Sequence, residues 1–137
     1  MKILILNGPN LNLLGSREPD VYGNKNFEAY FSELKNKYVN VQFDYLQSNI
    51  EGEIINQLHS AVHYNGIILN AGAYTHTSLA SADAVAGISI PVVEVHISNI
   101  FAREDYRHTS YLGKHCKGSV SGFGLKSYEI ALQSFIL

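Results

Sequence analysis

Cysteine is nearly absent from this chain. The single thiol, Cys116, excludes an internal disulfide framework and any cysteine-rich zinc site. Charge of one sign is scarce too: the net charge is −2, and without a dense basic tract there is no electrostatic footprint for nucleic acid. Long hydrophobic runs are missing. The apolar stretch at the N-terminus lasts only from Ile3 to Leu6 before Asn7, Gly8 and Pro9 interrupt it, which is too short for a signal-peptide core or a membrane span. Low-complexity tracts, linkers and repeats of solenoid period are absent as well. What remains is 137 residues, 46% of them hydrophobic, which suits one domain over residues 1–137 with a core of its own. The expectation is a cytoplasmic, enzyme-sized domain with neither a membrane nor a nucleic-acid partner.

Short β-rich runs alternate with segments of helical period. Strands are expected at Lys2 to Asn7, Val39 to Leu46, Ile67 to Asn70, Val92 to Ile97 and, more weakly, Gly118 to Ser121. Helical stripes are carried by Phe27, Tyr30, Phe31, Leu34 and Tyr38, by Ile54, Ile55, Leu58, Ala61 and Val62, and by Leu125, Tyr128, Leu132 and Phe135. A short Ala-rich helix is expected from about Ser78 to Ala86, and Ser48 with Glu51 has the spacing of a capping box. Such alternation implies a parallel sheet with helices on both faces and right-handed crossovers. The fold class is therefore α/β, a three-layer, doubly wound, parallel five-stranded sheet, with the flavodoxin-like strand order 2-1-3-4-5 assigned by analogy.

A doubly wound sheet invites a nucleotide, but the turn Gly8-Pro-Asn-Leu-Asn-Leu-Leu-Gly15 has neither the G-x-G-x-x-G spacing nor a P-loop ending. A phosphoacceptor site would need carboxylates where Asn7 and Asn70 stand, and those amides are poor magnesium ligands. His59 and His63 have metal-pair spacing on the second helix but lack the zincin glutamate, so they read as surface histidines. His108 and His115 receive no metal role, and Cys116 reads as a spectator thiol. No lysine follows an apolar strand run, which leaves a buried Schiff base unsupported. No cofactor and no metal are expected.

Three apolar runs each end in a polar turn: Lys2-Ile-Leu-Ile-Leu6 in Asn7-Gly-Pro-Asn10, Gly66-Ile-Ile-Leu69 in Asn70-Ala-Gly72 and Thr75-His-Thr-Ser78, and Pro91-Val-Val-Glu-Val95 in His96-Ile-Ser-Asn99. Carboxyl ends of parallel strands share one edge, where ligands bind. The three turns thus read as one site. His96 sits where its strand meets that edge and suits a general acid. Glu94, two residues earlier, shares its face of the strand and can orient it. Ile97 and Ser98 offer backbone amides to an anion if a helical turn begins there. Between the first strand and first helix lies a long irregular stretch, roughly Gly8 to Asn24, of the kind that usually forms a lid or binding loop. It carries a guanidinium, Arg17, close to a phenol, Tyr22.

Five segments spread along the chain resemble the type II dehydroquinases (3-dehydroquinate dehydratases). They are Asn7-Gly-Pro-Asn-Leu-Asn-Leu-Leu-Gly15, Arg17-Glu-Pro-x-x-Tyr-Gly23, Asn70-Ala-Gly72 with Thr75-His-Thr-Ser78, Glu94-Val-His-Ile-Ser-Asn99, and Ala102-Arg-Glu-x-x-Arg107. They stand in the family's order, and the length agrees over essentially the whole chain. The resemblance implies dehydration of 3-dehydroquinate to 3-dehydroshikimate, an anti elimination through an enolate without metal or cofactor.

In that reading Tyr22 is the base. Ionising a phenol of ordinary pKa about 10 at pH 7 costs about 4 kcal/mol, and Arg17 beside it favours the anion and stabilises developing charge. Asn10 serves the enolate oxygen through a water, while His96 protonates the departing hydroxyl. Asn70, His76 and Arg107 match the family's substrate-binding positions. So does Asp83, which in the family reaches the site of a neighbouring subunit. Arg103 is ambiguous. The family also assembles trimers into dodecamers, so a homo-oligomer is expected. Two departures stand out: Ala82 replaces an arginine that many relatives carry before the aspartate, and Gly118-Ser-Val-Ser-Gly122 is more polar than the usual last strand.

Overall fold

Alternating Ile and Leu make Lys2–Asn7 a strand, β1, that is buried along nearly its whole length, as expected where both faces of a sheet are covered. The computed structural model describes residues 1–15 and 26–137. Among these, β1 is followed by α1 (Phe27–Lys37), β2 (Gln42–Gln47), α2 (Glu51–Ser60), β3 (Gly66–Asn70), α3 (Leu79–Gly87), β4 (Val92–His96), β5 (Gly118–Ser121) and α4 (Lys126–Ile136), with short 3₁₀ turns between them. The strands pair in the order β2-β1-β3-β4-β5, all parallel. That is the expected order. No helix of the described residues is long and apolar enough to cross a membrane.

Period-two alternation in the strands sends successive side chains to opposite layers. On one face Ile3, Ile5, Ile68, Val93 and Val95 meet α1 and α4; on the other Leu4, Leu6, Ile67, Leu69 and Val92 meet α2 and α3. Two helix starts are fixed by side-chain caps. Asn26 accepts from the Ala29 amide at 2.9 Å to cap α1, and Ser78 accepts from the Ser81 amide at 2.9 Å to cap α3. Such caps supply orphan amides with acceptors, at about 1 kcal/mol each.

Three local expectations are corrected. β2 begins at Gln42 rather than Val39, because the Val41 amide closes a turn on the Tyr38 carbonyl at 3.0 Å. Ser48 and Glu51 do not form a capping box. Ser48 Oγ accepts from the Ile50 amide and donates to Glu53, while Glu51 accepts from Ser78 Oγ at 2.5 Å, so distant partners win both side chains. Finally, α2 stops at Ser60, which leaves Val62 and His63 exposed beyond its end; only His59 of the histidine pair is helical.

The registers bring strand ends flush. Asn7 pairs with Asn70, and Leu69 pairs with Glu94. At this edge the turn after β1 presses on the turn after β3: the Gly8 amide donates to the Asn70 carbonyl at 2.7 Å, and a Cβ at Gly8 would lie 2.6 Å from the Ala71 oxygen. Only glycine fits there.

Candidate active site

The turn after β1 is fastened from two sides before any ligand is considered. Asn49 Oδ1 accepts from the Asn10 amide at 3.0 Å, and Gln47 Nε2 donates to the Gly8 carbonyl at 3.1 Å. Asn10 itself is held at φ 69°, the left-handed region that asparagine tolerates better than most residues. Beneath the turn lies a polar chain, buried at Asn7, Asn70 and Tyr128 and half-buried at its Tyr45 end. Tyr128 OH donates to Asn7 Oδ1 at 2.7 Å and accepts from Asn70 Nδ2 at 2.9 Å; Asn7 Nδ2 donates on to Tyr45 OH at 3.2 Å. Burial, partly offset by its Asn70 contact, pushes the Tyr128 phenol far above its ordinary range, so it stays neutral. Asn70 Oδ1 accepts from the Gly72 amide at 3.1 Å.

β4 supplies the titratable half. Glu94 is buried, 2% exposed, and the hydroxyls of Ser110 and Ser119 both donate to it, the latter at 2.8 Å to Oε1. Burial raises the Glu94 pKa, but the adjacent His96 ring and hydrogen bonds from Ser110 and Ser119 outweigh it and hold the carboxyl below its ordinary value. His96 Nε2 stands 3.3 Å from Glu94 Oε2. The approach falls short of an aligned hydrogen bond, so Nε2 is close to the carboxylate without being bonded to it.

His76 stacks 6.1 Å from His96, ring to ring, and its Nδ1 lies 2.8 Å from the Thr109 carbonyl. A carbonyl only accepts, so Nδ1 carries the hydrogen and a neutral ring leaves Nε2 as an acceptor. Burial lowers the His76 pKa; His96 and Arg107 push the same way against the Thr109 contact. Arg107 is braced by Glu104, which accepts from Nε at 2.7 Å, and lies over the Tyr106 ring at 5.3 Å. On the far side of Glu94, Cys116 is half-buried; desolvation and then the Glu94 charge push its thiol up to about 12.

These elements enclose a cleft of about 110 Å³, lined by Asn10, Asn70, His76, His96, Ile97, Ser98, Arg103 and Arg107, with Pro9, Leu11, Gly72 and Ala73 filling the wall. Glu94 sits behind His96 rather than on the wall. The helical turn expected at Ile97 and Ser98 begins instead at Ile100, with Asn99 accepting from the Phe101 amide. Asp83 is exposed on α3 and does not line the cleft, while its neighbour Ala82 is buried among the aliphatic side chains. Arg17 and Tyr22 lie outside the described residues. Among the described residues no cluster of three or more histidine, cysteine or acidic side chains could hold a metal ion.

Sequence reasoning missed three contributors. Tyr128 was visible only as part of a helical stripe, and Ser110 not at all. Ser119 was seen only as unexpected polarity. With a cationic rim, a histidine pair and a buried carboxylate, the cleft can hold a small anionic, hydroxylated molecule and move protons at it.

A family model for dehydroquinase class II matches residues 1–136. A 3-dehydroquinate dehydratase from an Exiguobacterium species is 55% identical over 137 residues, covering 99% of this chain and 94% of that one. The crystal structure of a type II dehydroquinase from Butyrivibrio crossotus superposes with a TM-score of 0.94 at 45% identity, covering 100% of this chain and 98% of the other. Another, from Propionibacterium acnes, gives 0.91 at 38% identity, with 97% and 94% covered.

Proposed function

The chain belongs to the class II dehydroquinases, and on that premise we propose that it dehydrates 3-dehydroquinate to 3-dehydroshikimate in the shikimate pathway by anti elimination through an enolate. Tyr22 removes the proton α to the ketone, with Arg17 favouring the phenolate. Asn10, acting through a water, donates to the enolate oxygen. His96 then protonates the departing hydroxyl, so hydrogen and hydroxyl leave as water and the ring gains a conjugated double bond. Glu94 orients His96. The Ile97 and Ser98 amides receive the substrate carboxylate, while Asn70, His76 and Arg107 hold its hydroxyls. Asp83 completes the site of a neighbouring copy in a homo-oligomer, a trimer built into a dodecamer, which accords with its position away from its own cleft.

One observation carries this reading: in a chain matched over residues 1–136, the turns after β1, β3 and β4 bring Asn10, Asn70, His76 and His96 to one cleft. No step uses a metal or cofactor. The test is direct. Purified protein given 3-dehydroquinate with a chelator present should generate the enone absorbance, and Tyr22→Phe should lose about 10²- to 10⁴-fold in kcat, the usual weight of a general base. Turnover abolished by the chelator, or near-normal kcat in Tyr22→Phe, rejects the mechanism.

A further inference from the structure

The Glu94 carboxylate has too few donors on its own strand to stay ionised out of water, and its support comes from two other segments. Ser110 is fully committed: its Oγ accepts from the Leu112 amide at 3.2 Å and the Gly113 amide at 3.1 Å, which directs its one hydrogen to Glu94 Oε2. Oε1 has a different keeper. β5 lies beside β4 with Ser119 in register opposite Glu94, so both side chains project to the same face. The Ser119 hydroxyl reaches Oε1 at 2.8 Å. With both oxygens engaged by serines, the position of Oε2 relative to His96 Nε2 is set by the strand pairing.

We propose that Ser119, on the outermost strand, is a positioning residue for the elimination: its hydroxyl fixes the Glu94 carboxylate so that Oε2 faces His96 Nε2 and balances the positive charge the ring carries when it acts as a proton donor. The inference rests on the dehydratase reading. A ring with a hydrogen on the nitrogen turned toward the carboxylate can give a proton to the departing hydroxyl only as the cation, which an ionised neighbour favours. Without the clasp the carboxylate can rotate or take up a proton, and it then no longer balances the charge of the reacting ring. The charged and titratable groups around it are His96 on β4, His76 from the turn after β3, Arg103 and Arg107 from the turns after β4, and Cys116 just before β5.

Ser119 is exposed at the sheet edge and belongs to neither apolar cluster, so substitution there spares the core. In Ser119→Ala a water can take the place of the hydroxyl, whereas the branched Ser119→Val excludes it. Ser119→Val should lower kcat by about tenfold, the weight of a hydrogen bond to a charged group, with KM within about twofold. The acid limb of the kcat profile should move to higher pH, because Glu94 loses a bond that favoured its charged form. Ser119→Ala should lie between, and Ser119→Thr, which keeps the hydroxyl, should restore both. A Ser119→Val enzyme with unmoved kcat and pH profile, or with KM alone raised, overturns the proposal.

Imidazole ¹⁵N spectra of the unliganded protein, with His96 assigned from His96→Asn, provide an arm independent of turnover. The His96 ring ¹⁵N shifts should move in Ser119→Val and return in Ser119→Thr; unchanged shifts overturn the proposal. Failure of the wild-type protein to process 3-dehydroquinate would instead sink the functional reading and leave the spectra to judge the clasp.

Discussion

On one face of the sheet, rings pack on rings: Phe27 stacks on Tyr45 at 4.5 Å and meets Tyr128 edge-on at 4.9 Å. On the other, Ile54, Leu58, Ala82 and Val85 press aliphatic side chains onto Leu4, Leu6 and Leu69. Both layers send polar atoms to the same strand ends, by different means. The aromatic layer uses a phenol as a long apolar arm with a polar tip; Tyr128 binds Asn7 and Asn70 and stays neutral. The aliphatic layer's side of the sheet holds a carboxylate there, stabilised by serines from two other segments. One half of the cleft is thereby indifferent to pH, and the other is built to respond to it.

The comparison breaks most visibly if the carboxylate is neutralised. Glu94→Gln keeps the shape but removes the charge opposite His96, and kcat should fall by about 10²-fold, the lower end of what a misdirected general acid loses, with only a small change in melting temperature. Tyr128→Phe is the converse. It orphans Asn7 Oδ1 and Asn70 Nδ2 inside the protein, so unfolding free energy measured in urea should drop by about 1–3 kcal/mol, with a smaller loss of kcat per folded molecule. Equal kinetic losses in the two variants would erase the distinction between the halves.

The smallest effect is on acid stability. His76 has a lowered pKa when folded, so the unfolded chain takes that proton first and stability declines as pH falls below 6.5. Glu94 is also lowered; its contribution is complete above 4.5 and is lost as pH falls through the folded value. Melting temperature should therefore fall in two stages on acidification. His76→Asn should flatten the upper stage, and Glu94→Gln the lower.

How much of this could be read from the residues follows from where partners sit. β1, β3 and β4 declare themselves as apolar runs, and their alternation with helical stripes leads to a parallel sheet, while the observed order of its five strands was reached only by analogy. The strand-end turns at Asn7, Asn70 and His96 were legible for the same reason, since a parallel sheet puts those ends together. The capping box failed because Ser78, 27 residues from Glu51, claims that carboxylate. Tyr128 joins Asn7 across 121 positions, and Ser119 meets Glu94 across 25. Such bonds depend on register, which local pattern does not specify.

The lone sulfur acquires a property from its neighbourhood. Thiolate is the species that alkylators and peroxide attack, and with a pKa of about 12 only about one Cys116 in ten thousand is ionised at pH 8. Burial first, and then the charge of Glu94, thus passivate the chain's single thiol. Storage without reductant should leave the protein free of sulfenate and of cross-linked dimers.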